Sequence, residues 1–462
     1  MTSLVVLPLS QWLCQSRSEN TEIAWHGDRR YKLKELRQNV TQLCQMLKDS
    51  PVQRWALCFD SSYRFTVALL ALLHAGKTPV IPGNCRENVL REQHALFDAV
   101  LTDLPLSLNC PVLQVTDAVL AQPPQTPFGP LPPISEEAEV ILFTSGSTGQ
   151  PREVIKPVAC LDREVEWLAS LWGDRFQHGS VAASVTHQHL YGLTFRIMLP
   201  MALSLPFACQ LGEYQEQIVN QGMGRRLIFI SSPAFLKRLD CALLPPDTAF
   251  VLSAGGALHW QDAQSATQWF NQPICEIYGS TETGVLAWRE RTQDEAPWHR
   301  FSGVLFKQEN GDDKARLRVI SPLIPEIEGL LLDDELLFLD DRRFHLGARR
   351  DRIVKIEEKR LSLSEIERRL CEQSEIAEAA IITVSRSDRL SIGAVVVLSE
   401  QGKLALNHIG SKVLIQRWRH ALRLWLEPVA IPRYWRLVDA IPLNTQSKRA
   451  HDQLQELFHA AR

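Results

Sequence analysis

The chain is poor in several features that would have assigned it quickly. Its ten cysteines form no CxxC pair, so neither a zinc site nor a disulfide framework is indicated. Scattered thiols of this kind read as buried side chains in a reducing compartment. Neither sign of charge dominates: Lys+Arg is 50 against Asp+Glu 53, a net charge of −3. That excludes the broad cationic field of a nucleic-acid-binding protein. There is no long apolar run; the best helix candidate, 65–73, is about half the ~20 residues a membrane span requires. The opening MTSLVVLP has no basic n-region and no small-residue cleavage site, which makes it a poor signal peptide. Repeats and low-complexity tracts are missing, and 45% apolar with 22% charged residues is not the composition of a disordered, collagen-like or coiled-coil chain. The expectation is a protein of the cytoplasm without a membrane span or nucleic-acid partner. At about 100–200 residues per domain, its length allows two to four domains or subdomains.

Apolar segments of strand and helix character alternate along the chain. RWALCF at 54–59 reads as a strand, 63–75 as an apolar helix closed by Gly76, and TPVIP at 78–82 as a strand. This β–α–β order predicts parallel sheet. The proline-rich stretch 122–133 is an extended connector, because proline fixes φ and removes a donor. Further strands are predicted at 139–143, 226–230, 249–252 and 274–278. Several of them run into small, polar, glycine-bearing loops, the place where open α/β sheets hold ligands. From Arg349 onward the charge changes sign: 349–462 carries +6 and the residues before it −9. Such a change marks a separate, basic C-terminal domain.

Two loops carry chemistry. TSGSTGQPR at 144–152 follows the strand 140–143 directly. Its four hydroxyls and two glycines, Thr144, Ser145, Gly146, Ser147, Thr148 and Gly149, suit a loop that grips phosphate oxygens. It is not a Walker loop, since GxxxxGK[ST] is absent. YGSTET at 278–283 also follows an apolar strand. A carboxylate beside hydroxyls, Glu282 among Ser280, Thr281 and Thr283, suits Mg²⁺, which takes one or two carboxylates plus phosphate oxygens. Tyr278 offers a face on which a base can stack.

Together the two loops resemble the signature of the adenylate-forming superfamily: acyl-CoA and acyl-ACP synthetases, peptide-synthetase adenylation domains and luciferases. The pattern TSGSTGxP[KR] stands at 144–152 and YGxTE at 278–282, and the likeness runs over nearly the whole chain in the family's motif order. AGKTPV at 75–80 resembles an early motif with a packing role. HLYGL at 189–193 resembles the HxxGL segment bordering the carboxylate-substrate pocket. His187, His189, Tyr191 and Gly192 are therefore candidate substrate-binding residues. FISSP at 229–233 and SAGGA at 253–257, with Gly255, Gly256 and Ala257, resemble the pocket-wall and adenine-side loops. The family's TGD falls on LDD at 332–334; an ungapped count back from Arg349 selects Asp334 for the ribose hydroxyls, with Asp333 as second choice. The hinge motif GRxDxxVKI appears as ARRDRIVKI at 348–356, giving Arg349 the nucleotide contact and Asp351 the hinge. The following RG is Glu357-Glu358, so side chains stand where relatives leave bare backbone on the thiol path. IPLNTQSKR at 441–449 resembles LPLTxxGK; Ser447 replaces glycine and Lys448 is kept.

The resemblance implies an α/β protein: a large N-terminal domain, 1–350, of αβ subdomains with mixed and parallel sheets, and a small mobile α+β lid, 351–462. It implies ATP and Mg²⁺, a carboxylic acid activated as its acyl-adenylate, and a thiol that then accepts the acyl group. Lys448, Glu282 and Arg349 would be the catalytic residues, with Tyr278, Gly279, Ser280 and Thr281 against the nucleotide. Amino-acid-activating relatives keep an aspartate in the pocket segment; 187–195 has none, and a buried ammonium without a partner is costly. The acid is thus expected to be aryl, hydroxybenzoate-like, or fatty. VKIEEKRLSLSEI at 354–366 is similar to ligases that load acyl or hydroxyaryl groups onto acyl carrier proteins in polyene-pigment pathways. A basic C-terminal segment agrees with an acidic carrier protein as acceptor. Free CoA, a catalytically weakened nucleotide-binding regulator, and luciferase-like oxidation of an adenylate are the alternatives.

Overall fold

A computed structural model of the chain describes residues 5–14, 17–83, 85–121, 130–145, 151–309, 316–349, 353–356, 359–386, 389–423, 426, 428–443 and 449–459. They fall into two compact units, Met1–Lys307 with Arg318–Leu330, and Gln308–Leu317 with Leu331–Arg462.

The first unit holds two large sheets. One has six strands in the order Val112–Gln114, Ala99–Thr102, Arg54–Cys58, Thr78–Ile81, Glu139–Ser145, Pro151–Pro157. The first five run parallel and the last pairs antiparallel with its neighbour. The helix Ser62–His74 makes one of the crossovers; every residue but Arg64 is buried, which explains why it is apolar on all sides. Ser61 caps its start by accepting from the Arg64 amide, and Gly76 follows its end at φ +66°, a conformation that favours glycine.

The second sheet of this unit runs Trp298–Arg300, Gly284–Glu290, Ile274–Ser280, Thr248–Ser253, Arg226–Ser231, Gly179–Ala183, Phe207–Ala208, Glu22–His26, Arg29–Lys32. Its six central strands are parallel, flanked by antiparallel strands at both ends. Thr248–Ser253 is buried along its whole length, as expected of a parallel strand covered on both faces. Phe250 packs against Trp172 and Phe176 of the helix Val158–Phe176 at ring-centroid distances of 5.0 and 5.1 Å. All the strands predicted from the sequence are present. Beyond that expectation, the strand leading into the hydroxyl-rich loop is half of a hairpin, paired from Glu139↔Pro157 to Ser145↔Pro151.

The second unit is built on the hairpin Ile376–Arg386 and Arg389–Leu398, with Tyr434–Val438 added parallel. The helix Leu363–Cys371 packs on it through Ile366 and Leu370, and Trp418 closes the same core. Ser362 caps this helix through the Glu365 amide. Two further hairpins belong here, Asp334–Phe338 with Arg343–Arg349, and Ile353–Ile356 with Lys359–Ser362. Among the described residues no helix is long and apolar enough to cross a membrane.

Among the carboxylates of the first unit whose pKa is raised is Asp162. Asp162, on the helix Val158–Phe176, accepts from the Leu9 amide at 2.9 Å. Burial, with Glu166 adding to it, pushes its pKa from 3.8 up to about 6. Because the folded-state value is raised, stability is highest while both states are protonated and is lost as pH rises from about 4 to 6. Asp162→Asn is therefore expected to raise the thermal midpoint at pH 8, with the gain shrinking to nothing below pH ~4, as melting curves across pH would show.

Candidate active site

The strand Ile274–Ser280 turns through Thr281, Glu282 and Thr283 and returns as Gly284–Glu290. Ser280 and Thr283 hold the turn: the Ser280 amide donates to the Thr283 hydroxyl at 3.0 Å, and the Thr283 amide to the Ser280 hydroxyl at 3.2 Å. A Cβ on Gly279 would lie 2.1 Å from the Gly284 carbonyl oxygen, so only glycine lets the two arms approach this closely. The Ser280 hydroxyl, expected to face the nucleotide, is thus engaged in shaping the turn. Tyr278 is half-buried, with its ring 5.9 Å from that of Trp298.

The crown of this turn meets the other motif. The Thr144 hydroxyl donates to Glu282 Oε1 at 3.3 Å, a contact between residues 138 apart in sequence. Thr144 sits near the end of its strand, opposite Arg152. Gly146, Ser147, Thr148 and Gly149 lie outside the described residues, as does the side chain of Ser145. One half-buried carboxylate with a hydroxyl beside it fits Mg²⁺ held mostly by phosphate oxygens and water. No group of three or more His, Cys, Asp or Glu that could hold a metal occurs among the described residues.

Sequence reasoning missed the residue beneath the turn. Lys156, on the hairpin strand opposite the phosphate strand, is 1% exposed. It donates to the carbonyl oxygens of Glu282 at 2.7 Å and Leu323 at 3.1 Å. Burial lowers its pKa, opposed foremost by Glu164. The one signal was strand alternation, which puts Lys156 on the same face as Val154 and Val158 and opposite Ile155.

The glycine loop after Thr248–Ser253 is open. Gly255, Gly256 and Ala257 are exposed. Gly255 has φ +91°, and a Cβ added to it would meet no atom within 4 Å; one added to Gly256 would meet only Pro233 Cγ, at 3.9 Å. Backbone so placed at the carboxyl end of a parallel strand can approach a flat ring.

On the acid side the structure shows how the candidate residues are held. His187 is buried, with Nε2 3.0 Å from the Phe59 carbonyl oxygen and Nδ1 3.2 Å from the Ser62 hydroxyl. Burial, and then the neighbouring Arg196, hold its pKa well below the usual value. The neutral ring donates through Nε2 and accepts through Nδ1, so neither nitrogen is left for a substrate phenol. Tyr191 shares its hydroxyl between the carbonyls of Ser231 and Leu252, at 3.0 and 3.3 Å, and burial raises its pKa well above 10. It fastens the pocket segment to two strand ends. Gly192 is a close-approach glycine: a Cβ there would lie 1.9 Å from the Thr186 carbonyl oxygen. His189 is half-buried beside Gly83, whose Cβ position would lie 3.3 Å from His189 Cε1 and 3.7 Å from the Phe143 carbonyl oxygen. His189 therefore stands near the strand that carries Thr144.

In the second unit, Asp334 is half-buried and pairs in register with Arg349 across their hairpin. Asp333 is exposed at the bend before it. The side chain of Arg349, together with Asp351 and Lys448, lies outside the described residues.

Removing the lysine under the turn leaves the Glu282 and Leu323 carbonyls without this donor. Lys156→Met is expected to cost about 2 kcal/mol, the scale of leaving a buried acceptor unsatisfied, read as a shift in urea-unfolding midpoint.

No family model matches the chain. Over 267 residues it is 27% identical to the 4-coumarate–CoA ligase of Halorhodospira halophila, covering 55% of this chain and 62% of that ligase. It thus spans less than two thirds of that relative's length. It is 25% identical over 318 residues to the 4-coumarate–CoA ligase of Rhodobacter capsulatus, covering 68% and 75% of the two chains. Its fold matches the crystal structure of ATP-bound MatB from Rhodopseudomonas palustris at a TM-score of 0.80, over 98% of this chain and 99% of that one, with 17% identity. At that identity the likeness is one of fold, and it joins the sequence likeness and the ordered motifs at 144–152 and 278–282. On these grounds the chain is similar in sequence, fold and motif order to the adenylate-forming enzymes.

Proposed function

We propose that the protein is an ATP-dependent acid–thiol ligase: it converts a carboxylic acid to its acyl-adenylate, releasing pyrophosphate, and passes the acyl group to a thiol. The observation that carries the reading is the contact of Thr144 with Glu282, which joins a phosphate-gripping loop to a metal-suited carboxylate. A carboxylate is a poor acyl donor because oxide is a poor leaving group; AMP is a good one. Bringing the acid to the α-phosphate brings two anions together, which calls for fixed positive charge and donors where charge develops.

Lys448 neutralises the acid carboxylate and the α-phosphate oxygens. Thr144, Ser145, Ser147 and Thr148 donate to the β- and γ-phosphates. Mg²⁺ held by Glu282 would supply further charge neutralisation at the phosphates. Asp334 accepts from the ribose hydroxyls and Arg349 donates to the nucleotide; their strand register supports a joint role. The functional division proposed, substrate sites in 1–350 and a lid in 351–462 turning about Asp351, is set by a hinge rather than by packing. A compartment that supplies ATP, the cytoplasm, is the proposed location.

The acid is proposed to be aryl. The relatives named for 4-coumarate support this, as does the lack of an acidic residue in 187–195. His189, near the strand that carries Thr144, is proposed to meet a phenol on the acid. A fatty acid is the second candidate, since the same segment is largely apolar. The acceptor is proposed to be a carrier-protein phosphopantetheine, supported by the +6 charge of 349–462. Free CoA is the second reading, favoured by the names of the relatives.

A pyrophosphate-release screen over benzoates, hydroxybenzoates, cinnamates and C6–C18 fatty acids should give its highest rate with an aryl acid; silence with every acid refutes the ligase. Lys448→Ala should abolish pyrophosphate release while largely sparing thiolation of a pre-made adenylate. Equal loss in both assays assigns the lysine another role. Transfer to a carrier protein should slow as salt rises; faster, salt-insensitive turnover with CoA would replace the carrier.

A further inference from the structure

Beneath the acidic turn lies a buried carboxylate with no part in the chemistry above. Glu164, on the helix Val158–Phe176, is 3% exposed. Its Oε1 accepts from the Val285 amide at 2.8 Å and its Oε2 from the Thr194 hydroxyl at 2.6 Å. Val285 lies three residues beyond Glu282. Thr194 lies in the π-helical turn Leu193–Met198 that directly follows the HLYG segment. One carboxylate therefore bonds the metal-carboxylate turn with one oxygen and the acid-pocket element with the other.

The fit is tight on the turn side. Gly284 has φ +68°, and a Cβ there would stand 2.9 Å from Glu164 Oε1; glycine is what lets the backbone descend onto the carboxylate. Lys156, whose charge acts against the rise that burial imposes on the Glu164 pKa, donates to the Glu282 carbonyl. Thr194 is 2% exposed, so its hydroxyl has no water to exchange for the bond. π-Helical turns are rare and occur frequently at functional sites.

We propose that Glu164 is a positioning residue that couples the two substrate sites: nucleotide bound at Glu282 orders the acid-pocket helix through the Val285–Glu164–Thr194 bridge. This rests on the reading of Glu282 as part of the nucleotide site. By linkage, an acid that orders the same helix strengthens nucleotide binding by the same factor.

The test is amide hydrogen exchange of the full chain with and without ATP and Mg²⁺. In the wild type and in Thr194→Ser, which keeps the hydroxyl, nucleotide should slow exchange in peptides covering 278–286 and also in 190–199, the latter by about fivefold, the lower end of ordinary coupling. In Thr194→Val, which keeps shape and loses the donor, protection should persist at 278–286 and vanish at 190–199. Thr194→Ala takes its place should the valine variant not fold. Equal protection of 190–199 with and without the hydroxyl overturns the bridge, as does protection of 278–286 alone in the wild type. Protection of neither peptide in the wild type overturns the nucleotide site itself, and the bridge with it.

Discussion

The closure of the 281–283 turn onto Thr144 is the constraint from which the rest of the first unit follows. Two loops from two different sheets must meet at a 3.3 Å hydrogen bond, and each brings backbone that must be satisfied where it is buried. Lys156 answers the Glu282 and Leu323 carbonyls, and Glu164 answers the Val285 amide. Gly279 and Gly284 provide the close approaches that a Cβ would block. A buried lysine and a buried glutamate would each be costly alone; supporting one turn from below, they offset one another and leave Glu282 presented above it.

The acid side is organised by the same economy of buried polar groups. Tyr191 ties its segment to the ends of Arg226–Ser231 and Thr248–Ser253, the strands that lead into the pocket-wall and adenine-side loops. His187 joins that segment to Phe59 and Ser62, at the start of the helix Ser62–His74. Arg196, itself 1% exposed, donates to the carbonyls of Val185 and Cys209 and makes a charged imidazole beside it unfavourable. The segment 187–191 is thus fastened at several points, through His187 to Phe59 and Ser62 and through Tyr191 to Ser231 and Leu252. Support of this kind is what placement-driven catalysis requires.

In the second unit Asp334 and Arg349 are brought together by strand register. Asp334 and Arg349 are fifteen residues apart in sequence and directly opposite in the hairpin. Register in a hairpin is set by where the chain turns, and here the turn is drawn in by Asp340, which accepts from the Arg342 and Arg343 amides.

Sequence by itself determined the fold class and the order of the chemistry. Runs such as RWALC, EVILF and RLIFI carry strand character locally, because burial on both faces demands apolar residues throughout. The loops TSGSTG and YGSTE stand out because they gather hydroxyls, glycines and a carboxylate, residue types suited to phosphate and metal whatever surrounds them. Tertiary structure alone decided which polar atoms were already spent. His187 and Tyr191 look like ligands in sequence, yet their partners Phe59, Ser62, Ser231 and Leu252 come from distant segments. Lys156 and Glu164 look like surface charges, yet they are enclosed and paired across 126 and 121 residues to the acidic turn. A hydrogen-bond donor or acceptor is the same letter whether committed or available, and only the packing of remote segments tells the two apart.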